Sequence, residues 1–73
     1  MFLSDMKEGQ TGVISAVNFD NSFKTRLNDM GFCDGESVIC IKRSVMSSPI
    51  LYRVKGAGVA LRKSDAKHIE VVL

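Results

Sequence analysis

The chain has 73 residues, room for one domain and no second. Its 45 % apolar content argues against disorder, and a formal charge of +2, from ten basic against eight acidic residues, does not make the dense basic patch of a dedicated nucleic-acid binder. Cys33 and Cys40 form neither a disulfide framework nor a metal-ligand spacing and read as free thiols in a reducing compartment. Met1 to Asp5 lacks the basic and apolar regions of a signal peptide, and no stretch approaches the roughly 18 apolar residues that span a bilayer. A protein that is cytosolic, or bound to a membrane through something else, is expected.

In chain order, Leu3 to Gly9 reads as one helical turn, with Ser4 as a candidate cap and Gly9 as its end. Thr11 to Val17, rich in Val and Ile, is the first predicted strand. A short amphipathic helix follows, from about 22 to 30. Phe23, Leu27 and Met30 share one face at i, i+4 and i+7, and Asp20, Asn21 and Ser22 offer acceptors for its first N–H groups. Gly31 suits the left-handed residue that closes the helix, and Gly35 permits positive φ in the next turn.

Ser37 to Ser44 is the second strand. Val38 and Cys40 alternate with Ile39 and Ile41, so both faces are apolar, and coverage by the barrel interior and by the helix is expected. Val45 to Pro49 is a loop. Ile50 to Lys55 alternates with Ile50, Tyr52 and Val54 inward. Lys55-Gly56-Ala57-Gly58 reads as a tight reversal, Val59 to Arg62 as the fourth strand, Lys63 to Ala66 as a helical turn, and the alternating Ile69, Val71 and Leu73 as the last strand. Five short strands with one inserted helix and short helical turns describe a mainly β, SH3-like, partly open barrel over 1–73.

The pattern resembles the FeoA family of ferrous iron transport. The resemblance runs from Leu3 to Val71 and rests on several pieces taken together. They are Arg26-Leu27 leading to Met30-Gly31-Phe32, then Gly35 and Val38, Pro49-Ile50, the Val54 to Gly56 turn, and Val59 to Ala66 with Ile69. The loop departs from the family: Val45-Met46-Ser47-Ser48 stands where a Pro and a Gly are common ahead of the Pro-Ile pair. The resemblance implies a small cytosolic accessory of FeoB, the membrane ferrous-iron transporter with a G domain. Such a protein would be peripheral at the inner membrane through that transporter and would bind or modulate it, with no cofactor, no small-molecule substrate and no catalysis. The alternative is a regulatory or nucleic-acid-associated barrel like the C-terminal domain of iron-dependent repressors. No helix-turn-helix precedes the barrel pattern, so a complete repressor is not expected.

Other readings are weaker on the residues themselves. His68 has no Ser, Cys or acid placed by a known signature, so a surface histidine is expected rather than a catalytic one. Asp29, Cys33, Asp34 and Glu36 crowd one turn with oxygen and sulfur donors suited to Fe²⁺, but each is ordinary for a helix end, a turn or a strand flank, and no metal site is expected. The basic pairs Lys42-Arg43 and Arg62-Lys63 lack the exposed aromatics that base stacking needs. With no Trp and one Tyr, a proline-peptide groove is not expected either. A contact patch remains, placed at the helix end, turn and loop: Arg26, Met30, Phe32 and Met46, with Arg26 as anchor, while Phe32 and Met46 also read as core plugs, Phe32 more readily as one that covers the barrel end.

Overall fold

The computed structural model describes residues 1–43 and 49–73, with the side chain of Asn21 also outside the description. A 3-10 turn (Leu3–Asp5) leads to β1 (Thr11–Val17), α1 (Asn21–Asp29), β2 (Ser37–Lys42), β3 (Ile50–Val54), β4 (Ala57–Leu61), α2 (Lys63–Ala66) and β5 (Ile69–Val72). The strands form one antiparallel sheet in the order β4-β3-β2-β1-β5. The SH3-like, mainly β architecture expected from the sequence is present.

Two irregularities curl the sheet. Ser15 is an extra residue in β1 opposite β5, and Ile41 an extra residue in β2 opposite β3. Such bulges bend a strand and increase its twist, which lets a short sheet wrap a core. Leu3, Met6, Ile14, Leu27, Phe32, Val38, Cys40, Tyr52, Val54, Ile69 and Val71 are all at most 1 % exposed and form one cluster. Tyr52 is its largest fully buried side chain. Its ring meets Phe32 edge-on at 6.4 Å, and its hydroxyl donates to the Leu3 carbonyl at 3.0 Å, which satisfies the one polar atom that burial would otherwise strand. Burial pushes the Tyr52 phenol and the Cys40 thiol above their ordinary pKa.

Arg43 fastens the N-terminal segment to this frame. Its guanidinium donates to the carbonyls of Ser4 (2.7 Å) and Met6 (2.6 Å), and its backbone N–H donates to the Glu8 carboxylate. Ser4 lies inside the 3-10 turn and is buried, so it is not the cap expected. The Asp5 carboxylate instead accepts from the Phe2 N–H.

Three expectations are corrected. β4 begins at Ala57, because Lys55 and Gly56 both take positive φ (51° and 76°) and complete a two-residue reversal without Ala57 and Gly58. The outer face of β2 is not covered by α1: Ile39 is half-buried and Ile41 is exposed. Leu73 lies past the end of β5 and is 59 % exposed, so only Ile69 and Val71 point inward.

Candidate functional site

Local sequence sets both ends of α1. At its start the Asp20 carboxylate accepts from the Phe23 N–H (3.0 Å) and from the Ser22 hydroxyl (3.0 Å). The Phe23 bond first, and the Ser22 bond second, hold the Asp20 carboxyl below its ordinary value. At its end Gly31 takes φ 105°. The Gly31 N–H bonds to the Asn28 carbonyl and the Phe32 N–H to the Leu27 carbonyl (2.8 Å), the paired bonds of a Schellman motif. That motif turns the residue after the glycine back onto the last turn. Leu27 and Phe32 are accordingly both fully buried.

This geometry corrects the expected patch. Phe32 is a core residue, 0 % exposed, and presents no ring to a partner. Arg26 and Met30 lie one turn apart on the same side of α1, both exposed, as a contact role requires. Met46, with Val45, lies outside the described residues.

Three half-buried rings missing from the sequence-based patch run in a row that begins beside Arg26. Its guanidinium carbon stands 5.9 Å from the centre of the Phe23 ring. Phe23 meets Phe19 at 4.5 Å, and Phe19 meets the His68 ring edge-on at 5.0 Å. The sequence holds a signal for this group: Phe19 precedes the capping residue Asp20 and Phe23 lies in the first turn, close to the apolar bracket that fixes a helix entry. Rings with one apolar side and one wet side, beside an arginine, are the residue types that dominate interface energetics.

The other candidates are not assembled. Among the described residues no three His, Cys, Asp or Glu side chains converge. In the crowded turn, Glu36 faces Lys55 at 3.8 Å and the Cys33 thiol lies 3.7 Å from the Gly31 carbonyl, while Asp29 and Asp34 are exposed. Of the basic pairs, Arg43 is committed to the Ser4 and Met6 carbonyls. His68 is half-buried against Phe19 rather than on the open surface. Among the described residues there is no enclosed pocket and no helix long and apolar enough to cross a membrane.

The FeoA domain profile matches residues 1–73. An Fe(2+) transport protein A/Fe(2+) transporter FeoB fusion protein of Porphyromonas gingivalis is 34 % identical over the whole chain, which spans 9 % of that much longer protein. The crystal structure of Stenotrophomonas maltophilia FeoA complexed with zinc, described as a procaryotic SH3 domain protein, superposes with a TM-score of 0.83 at 33 % identity, covering 99 % of this chain and 89 % of that one. A manganese-dependent transcriptional repressor shares the fold at a TM-score of 0.88, with 20 % identity over 99 % of this chain and 40 % of its own. The family profile and these relatives above 30 % identity agree with the resemblance read from the helix, turn and fourth-strand motifs, and the chain belongs to the FeoA domain family.

Proposed function

We propose that this protein is a cytoplasmic, non-catalytic accessory of ferrous iron transport that binds an FeoB-type membrane transporter and modulates its iron uptake or the activity of its G domain. The observation that carries the reading is the Porphyromonas gingivalis relative, in which a whole-chain match sits within an FeoA/FeoB fusion. Fusion holds two units at a high effective concentration, the arrangement expected of parts that act on each other. The surface is consistent with work by contact: Arg26 of α1 and its C-cap Met30, with Phe23 and Phe19 at the helix start, offer aromatic, apolar and cationic groups along α1. The repressor likeness reaches only the fold, at 20 % identity, and adds no second reading.

The test is co-purification of the tagged chain with the FeoB-type transporter in detergent, with and without guanine nucleotide. Stoichiometric retention in at least one nucleotide state is expected. Absence of retention in every state, from a chain shown to be folded by circular dichroism, would remove the reading.

A further inference from the structure

The two edges of the sheet are treated differently. On β5, residues 1 and 2 cover the edge: Phe2 bridges Glu70, and the Val71 N–H donates to the Met1 carbonyl at 2.7 Å. On the opposite side, among the described residues, β4 pairs only with β3. The two-residue turn fixes which of its groups are unused. Ala57, Val59 and Leu61 stand opposite Val54, Tyr52 and Ile50 as the bonded pairs of the hairpin. The N–H and C=O groups of Gly58 and Ala60 therefore point away from β3, and among the described residues nothing bonds them. Ala57 to Leu61 contains no proline, no charge and no bulge, the usual devices that blunt an edge.

Side chains add shape and charge. Gly58 and Ala60 are small and exposed, and beside them Leu51 is 37 % exposed, so an added strand has an apolar wall to lie against. The ends of the edge are basic: Arg53 stands opposite Gly58, Lys55 occupies the turn, and Arg62 and Lys63 follow the strand. The nearby acids are Glu36, 3.8 Å from Lys55, and the half-buried Asp65. A second copy is a poor occupant. Antiparallel pairing of two β4 strands with Gly58 facing Ala60 brings Arg62 and Lys63 of each copy toward Lys55 of the other, and like charges so placed repel.

We propose that the free edge of β4 accepts an extended segment of a partner protein, apolar at alternate positions and acidic at both ends, as a sixth strand of the sheet. Backbone bonds to Gly58 and Ala60 supply affinity, Leu51 supplies an apolar contact, and the basic ends select acidic flanks. The edge lies on β4 and the Arg26 patch on α1, so this inference stands apart from the transporter reading.

The experiment measures amide hydrogen exchange in the full chain by NMR with the synthetic peptide Asp-Val-Thr-Val-Ser-Val-Glu, blocked at both termini. At saturation the Gly58 and Ala60 amides are expected to slow by at least about tenfold. The effect should vanish when the peptide's bonding nitrogens are methylated, and weaken strongly when its Asp and Glu are replaced by Lys. Ala60→Pro, which removes an N–H that β3 does not use, should also lose it. The proposal is overturned if both amides exchange unchanged at about 1 mM peptide, or if methylated or Lys-flanked peptides protect them equally well. Protection that grows with protein concentration in the absence of peptide would make a second copy the occupant and overturn it too. The methylated-peptide arm is decisive even if Ala60→Pro does not fold.

Discussion

Gly31 and Asp20 set the two ends of α1, and each makes a prediction at its own position. Gly31 takes φ 105°, and a Cβ built there would meet Val54 Cγ1 at 3.3 Å. Gly31→Val adds a β-branched residue in a left-handed conformation and crowds the core. It should cost at least about 1 kcal/mol, which a domain of this size reads as a melting temperature lower by about 4–8 °C; an unchanged melt would remove the Schellman assignment. Asp20 is held below its ordinary value of 3.8 chiefly by the Phe23 N–H. Its folded form thus binds a proton more weakly than its unfolded form. The resulting stabilisation is present above the ordinary value and is lost as pH falls through the folded one. Denaturation midpoints taken between pH 7 and about pH 2 should therefore fall more steeply for the wild type than for Asp20→Asn, which keeps a capping oxygen but no charge. Parallel slopes would contradict the cap. The positive φ of Gly31 and Gly35 was legible in the sequence because a helix stop and a turn each ask for glycine. The burial of Phe32 agrees with its reading as a plug and takes it out of the contact patch, because the Schellman bonds fold it back onto Leu27.

At the scale of elements, the strands were legible where one face alone is buried. Ile50, Tyr52 and Val54 alternate with exposed Leu51 and Arg53 as their spacing indicates. β2 was harder. Ile39 and Ile41 imply a covered outer face, yet α1 does not cover it and the extra residue at Ile41 leaves that side chain exposed. The β3–β4 turn is shorter than its glycines suggest: Gly58 points to a longer reversal, but Lys55 takes the left-handed position itself and Gly56 completes the turn. The link between the 3-10 turn and β2 had no sequence signal, since Arg43 reaches Ser4 and Met6 across 39 and 37 residues. Arg43→Ala removes both charge-assisted bonds from a buried segment above Tyr52. It should destabilise the fold by about 1–3 kcal/mol in a urea titration, with partial recovery in Arg43→Lys. A loss below about 0.5 kcal/mol, the range of an ordinary surface change, would show that water replaces the guanidinium.

For the molecule as a whole, membership of the FeoA domain family and the fusion of a relative's matching unit to FeoB support the proposal that the protein acts through a surface. The part of the proposed patch that the sequence suggests is Arg26 and Met30, which the helix period places together. Phe19 and His68 were not legible as its neighbours, because β5 brings His68 to the helix entry from 49 residues away. The measurement that tests the account most directly is the affinity of the folded chain for the purified FeoB-type transporter, compared between wild type and Arg26→Glu. Leu27 is core and is left unchanged, so folding and binding stay separate. The account predicts at least about a tenfold weaker complex for Arg26→Glu, a typical loss when an interface arginine is reversed, with the melting temperature unchanged and iron uptake reduced in cells. Equal affinity and equal uptake for the two proteins would contradict it and place the working surface away from α1.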